Sequence, residues 1–177
     1  NRLRTAIHLA NRRVFRAAET NDDYSGMGTT IVGLLANGSR VAIGHVGDSR
    51  LYLWRSGANT VEQVTADDSW AATILAQDPH VKPADLAHHP MRNVLTNVLG
   101  ARDQVDVHLA ELNLTPGDVM LLCSDGLHGV LDRSALQRVL ETETDVEAAA
   151  RTLVQSALDS GTRDNVTALV VRFEGEP

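Results

Sequence analysis

The chain has 177 residues, 43% of them hydrophobic, and a formal net charge of -7. It reads as a soluble chain able to bury one real core, with no apolar run long enough to span a bilayer, so one domain over 1–177 is expected. The acidic balance and the lack of a Lys/Arg cluster argue against nucleic acid or an anionic membrane as the main partner. A site for an anionic substrate would then need local positive charge, which a bound cation would supply.

The chain opens on Asn1 rather than Met, directly on a helical stripe of Leu3, Ile7, Ala10, Val14 and Ala17 spaced by threes and fours. No signal peptide precedes the stripe. Such a start inside an element is expected of a fragment; the alternative is that Asn1 caps the helix and the domain begins there. After the glycine-bearing loop "NDDYSGMG", short segments rich in Val, Ile, Leu and Thr at 29–36, 40–46, 51–55 and 61–64 are separated by "NGS", "GDSR" and "SGAN". These turn signals predict an antiparallel meander. A short helix is expected from 67 to about 77, capped by Asp67 or Asp68.

The stretch 78–92, "DPHVKPADLAHHPMR", is expected to be irregular. Adjacent His88 and His89 point in different directions, so an exposed loop is the simpler reading and a flap over a site the functional one. Strands follow at 105–112 and 119–123, the latter carrying the only cysteine, Cys123. A lone thiol in an apolar run excludes an internal disulfide and fits a reducing compartment, so the expected location is cytoplasmic. Asp132 and Asp145 are placed to cap two packing helices, and an apolar run from Val166 to Phe173 closes the chain. Strands grouped first and helices at the ends argue for α+β layers.

Three apolar runs end on an acid beside Gly, Ser or Asn: Asp48 in "VAIGHVGDSR", Asp125 in "DVMLLCSDGLHG", and Asp164 with Asn165 before the last run. Asp-Gly is common turn chemistry and Asp caps helices, so each acid alone is ambiguous. Carboxylates gathered at one sheet edge, however, suit a hard divalent cation such as Mg2+ or Mn2+. Other chemistries are excluded. A cysteine-based phosphatase needs an Arg six positions after its thiolate, where this chain has Gly129. Ser49 and Ser124 sit in no G-x-S-x-G elbow, and no P-loop or G-x-G-x-x-G fingerprint is present.

"GMGTT" (26–30), "GHVGDSR" (44–50), "VTADDS" (64–69), "RNVLTNVLG" (92–100), "CSDGLHGVL" (123–131) and "TRDNVTALVV" (162–171) occur in the order and spacing of the type 2C metal-dependent serine/threonine protein phosphatases. The chain resembles that family, in its bacterial form, over almost its whole length. The resemblance implies a four-layer αββα sandwich of two antiparallel β-sheets flanked by helices, here lacking its N-terminal strands. It implies that Asp125 and Asp164 ligate a catalytic cation, and that Asp48 joins Asp125 in holding a third, weaker one. Gly47 and Gly126 would let the backbone bend close to the site, and Asn165 would support Asp164 by hydrogen bonding. Residues 69–91 correspond to the family's flap.

The resemblance also implies that two cations, Mg2+ or Mn2+, activate a water for in-line attack on phosphoserine or phosphothreonine, with no protein nucleophile. Partners implied are phosphorylated proteins, with a cognate kinase or an anti-sigma pathway protein in the background. The family's early D-G-x-G-G segment, whose Asp bridges the catalytic metals, and a phosphate-binding Arg have no counterpart here. The expectation is therefore a phosphatase chain missing its first several dozen residues, with an unpaired sheet edge. Two alternatives remain open at this level. One is an inactive regulatory module of the same fold that binds phosphoproteins. The other is a receiver-like domain phosphorylated on Asp125, which should show alternating β and α units that this chain lacks.

Overall fold

The structure is a computed structural model and describes residues 2–58 and 60–175. The cap expected at Asn1 and the Asn59 of one turn signal lie outside them. The chain divides into two compact units. Unit 1 comprises the residues through Ile31, Gly44–Asp48 and Ala66–Leu109; unit 2 comprises Val32–Ile43, Ser49–Thr65 and everything from Ala110 onward.

Unit 2 is built on two sheets. In the larger, β3 (Arg50–Trp54), β4 (Val61–Gln63), β6 (Val119–Cys123) and β7 (Ala168–Arg172) run in the order β4-β3-β6-β7. All three ladders are antiparallel, with Leu51 opposite Leu122 and Met120 opposite Val171. The smaller sheet orders β1 (Ile31–Asn37), β2 (Arg40–Val46) and β5 (His108–Asn113) as β1-β2-β5, with the ends of these strands continuing into unit 1.

Strand alternation decides what each face meets. Leu51, Leu53, Met120, Leu122 and Val171 lie on one face of the larger sheet and pack against Val41, Ile43, Val32, Leu34 and Leu112 of the smaller one. Tyr52, Trp54, Val119, Leu121, Cys123 and Val170 lie on the other face. There they meet Leu136 and Leu140 of α5 (Arg133–Thr142) and Ala149, Leu153 and Ala157 of α6 (Val146–Asp159). Both helices start at the acids expected to cap them: Asp132 accepts from the Ala135 N–H at 2.8 Å and Asp145 from that of Ala148 at 2.7 Å. Helix, sheet and sheet thus follow from the two periodicities, and Cys123 is a buried thiol of the core.

The expected single meander is corrected in one respect. The chain leaves β2 in one sheet and enters β3 in another, so the two strands share no ladder. Alternation fixes which face of a strand is buried but not which strand lies beside it.

Unit 1 begins with α1 (Arg2–Thr20). Its stripe of Leu3, Ile7 and Ala10 packs on Val46, Leu99, Val105, Val107 and Leu109, covering the unit's own ends of β2 and β5. Asn11 interrupts that apolar stripe, yet it is satisfied. Its Nδ2 donates to the carbonyls of Arg102 and Asp103, and its Oδ1 accepts from the Gly100 N–H at 2.8 Å.

The helix expected from 67 is α2 (Trp70–Gln77), and its cap is Ser69, whose Oγ accepts from the Ala72 N–H at 3.2 Å. The expected caps, Asp67 and Asp68, are not used, because the Asp68 carboxylate is bonded elsewhere. The irregular stretch holds one helical turn, α3 (Pro83–Leu86), begun by Pro83 at its first position. The segment is tied at its ends by the Ser69–Leu95 bridge and the bond from Trp70 N–H to the Val94 carbonyl, at 2.8 Å. The His89 ring stacks on Trp70 with centroids 4.3 Å apart.

Candidate functional site

In unit 2, β6 delivers a fully buried run straight to Ser124, which begins α4 (Asp125–His128). Asp125 is the first residue of this turn, where its charge suits the helix N-terminus. Its Oδ1 accepts from the Gly126 N–H at 2.9 Å, and its other oxygen has no donor among the described residues. The loop before β7 brings up Asp164, whose Oδ1 accepts from the Asn165 N–H at 2.7 Å. Ser124 joins the two segments. Its Oγ donates to the Asn165 carbonyl at 3.1 Å and accepts from the Thr167 N–H at 3.0 Å, and its own N–H reaches the Thr167 carbonyl.

Gly126 explains how closely the two segments approach. A Cβ at this position would lie 2.3 Å from the Asn165 carbonyl oxygen and 3.3 Å from the Asp164 carbonyl carbon. Any larger residue would push the Asp125 and Asp164 loops apart. The bond between Asn165 and Asp164 comes from the Asn165 main-chain N–H rather than its side chain.

In unit 1, Gly47 has φ +100, and its absent Cβ would sit 2.4 Å from Thr30 Cγ2. Asp48 follows it and is half-buried. Around this loop lies a polar group that the sequence reading passed over. The Asp68 carboxylate accepts from the Gly47 N–H, from Asn97 Nδ2 and from His108 Nε2, each at 2.8 Å. His108 stacks on His45, and His45 Nε2 meets the Ala66 carbonyl at 2.7 Å, so that nitrogen carries the proton. Burial lowers the His45 pKa from its ordinary 6.5, against a weaker opposing effect of that hydrogen bond. The unfolded chain therefore takes up a proton that the fold resists, and this residue's contribution to stability falls as pH drops below 6.5. The only local sign of this group is the doubled acid in "VTADDS" beside a serine already suited to capping.

Gly47→Ala is expected to combine left-handed backbone strain with the Thr30 clash. The predicted cost is about 2 kcal/mol or more, read as a lower thermal midpoint.

Among the described residues, no group of three or more His, Cys, Asp or Glu side chains is gathered so as to hold a metal ion. What unit 2 presents is a pair of carboxylate-bearing loops fastened together, an all-oxygen donor set with unused oxygens. That suits a hard cation that keeps most of its waters.

Comparison with known proteins bears on this arrangement. A family model described as Stage II sporulation protein E (SpoIIE) matches residues 87–174. A serine/threonine phosphatase, stp, of Listeria welshimeri is 33% identical over 169 residues, covering 96% of this chain and 66% of that protein. The structure of PppA, a key regulatory component of T6SS in Pseudomonas aeruginosa, superposes with a TM-score of 0.83 at 39% identity, covering 96% of this chain and 68% of that one.

The chain belongs to the bacterial type 2C serine/threonine phosphatase family. Its two antiparallel sheets and flanking helices are those of the type 2C fold. It spans 66% of the length of the Listeria phosphatase, just under two thirds. The catalytic domain of another type 2C relative, PstP, has been solved in complex with two manganese ions; it is 33% identical with a TM-score of 0.81, covering 95% of this chain and 68% of that one.

Proposed function

We propose that this chain carries a metal-dependent protein serine/threonine phosphatase activity, hydrolysing phosphoserine and phosphothreonine in proteins with Mg2+ or Mn2+. The observation that carries this reading is the fastening of the Asp125 and Asp164 loops through Ser124 and the Gly126–Asn165 approach. Membership of the type 2C family and the two manganese ions of PstP support it.

In this reading Asp125 and Asp164 hold a catalytic cation, and Asp48 is a ligand of a further, weaker one. A bound divalent cation supplies charge neutralisation for the phosphoryl group and lowers the pKa of water. The chain's own residues do the holding. The Asn165 N–H fixes one oxygen of Asp164, the Gly126 N–H fixes one of Asp125, and Gly126 keeps the two loops at contact distance.

The same proposal takes 1–177 as one phosphatase domain, 69–91 as its flap, and phosphorylated proteins as substrates. A cognate kinase or an anti-sigma pathway protein is the partner in view. No helix among the described residues is long and apolar enough to cross a membrane. With the single buried thiol, the setting proposed is the cytoplasm.

The test is hydrolysis of para-nitrophenyl phosphate and a phosphothreonine peptide with Mn2+ and with EDTA. It is run on the 177-residue chain and on a form with whatever its gene encodes upstream of Asn1 restored. Hydrolysis that needs Mn2+ in either form is the expected result. A folded protein that binds Mn2+ yet turns over neither substrate in both forms would favour the non-catalytic module.

A further inference from the structure

We infer that Asp68 is a positioning residue for Asp48, clamping the Gly47 peptide and so setting where the neighbouring carboxylate lies. The inference rests on the reading of Asp48 as a metal ligand.

Asp68 engages both backbone groups of Gly47. Its Oδ2 accepts from the Gly47 N–H at 2.8 Å, and its own N–H donates to the Gly47 carbonyl at 3.0 Å. Thr30 closes the side where a Cβ would be. The residue before Asp48 is therefore held by both of its hydrogen-bonding groups and by steric contact.

The clamp is itself held. Asn97 Nδ2 shares Oδ2, His108 Nε2 meets Oδ1, and the Thr96 N–H donates to the Asp68 carbonyl at 2.8 Å. His108 stacks on His45 with centroids 4.9 Å apart, and His45 is bonded to Ala66, two residues before Asp68. The circuit closes on itself. The Asp68 side chain is only 12% exposed, so water competes poorly for these bonds. A local capping role does not account for the residue, because Ser69 caps α2. Removing groups that orient a metal ligand typically weakens the metal by about 10- to 100-fold.

The experiment compares the parent chain with Asp68→Ala, Asp48→Asn and Asp118→Asn, the last altering a buried carboxylate outside the proposed site. Two readouts are taken: amide hydrogen exchange at Gly47 and Asp48, and Mn2+ titration followed by the electron paramagnetic resonance of free Mn2+. Asp68→Ala is expected to speed exchange at Gly47 and Asp48 and to weaken the weakest Mn2+ site roughly tenfold, in the direction of Asp48→Asn. Asp118→Asn should lower the thermal midpoint while leaving both readouts in place. If Asp68→Ala does not fold, His108→Ala removes one bond of the clamp and should move both readouts the same way by less.

Unchanged exchange at Gly47 in Asp68→Ala, or in its His108→Ala substitute, overturns the clamp. Faster exchange there with unchanged Mn2+ binding, while Asp48→Asn does weaken Mn2+, overturns the positioning role alone. Mn2+ binding indifferent to Asp48→Asn overturns the reading of Asp48 and the inference with it. Equal effects from Asp118→Asn reduce the result to general loosening and also overturn the inference.

Discussion

Asp125→Asn should lose phosphatase activity by more than about a hundredfold, exceeding the usual effect of removing a group that merely orients a metal ligand. Its stability should stay within about 1 kcal/mol of the parent, in line with an exposed isosteric change. The two effects separate because asparagine keeps an Oδ1 acceptor for the Gly126 N–H, and because Asp125 is exposed while its neighbours Gly126 and Leu127 are buried. The fold loses little, whereas the proposed cation loses a full negative charge among its oxygen donors. Thermal unfolding and Mn2+-dependent hydrolysis measured on the same preparation check this, using whichever form of the chain is active. Full activity in the variant would remove Asp125 from the proposed metal centre.

Asp118→Ala should produce the largest loss of stability. Asp118 is fully buried at the turn entering β6, and its carboxylate accepts from Arg55 Nη1 at 2.8 Å, the Thr115 N–H at 2.9 Å and the Ser56 N–H at 3.0 Å. Alanine would leave two main-chain donors without this partner, while the half-exposed Arg55 could turn to water. A loss of about 3 kcal/mol is expected, or roughly 6–12 °C in the thermal midpoint for a chain of this size.

The same carboxylate sets an acid limit. Burial alone would raise its pKa, but the hydrogen bonds from Thr115, Ser56 and Arg55 outweigh burial and hold it below the ordinary 3.8. A depressed carboxylate stabilises the fold fully above its unfolded value, and the contribution is lost as pH falls through the lower folded value. Unfolding curves recorded down through pH 4 should therefore show the parent losing stability faster than Asp118→Ala.

Signals that act locally were legible in the sequence. Residues 40–46 and 119–123 match β2 and β6, and Asp132 and Asp145 cap the helices expected of them. Asp125 and Asp164 stood out because each lies beside an apolar run, but that the two loops meet came only from the family resemblance; Ser124 and Gly126 fasten them across about forty residues. What escaped depends on partners far along the chain. Ser69 displaces Asp68 as a cap because Gly47, Asn97 and His108, 21 to 40 residues away, already engage that carboxylate. The crossing between sheets after β2 escaped because alternation reports burial rather than neighbours.

The bridge between Ser69 and Leu95, with the Trp70–Val94 bond beside it, has an evolutionary consequence. A segment whose ends are already joined can change its length cheaply, since doubling a flexible loop costs only about 0.6 kcal/mol in closure entropy. Insertions, deletions and new side chains between Gln77 and Arg92 can accumulate while the neck of the loop stays closed. The segment is thus a place where descendants of this chain can diverge without refitting the apolar core of its own unit.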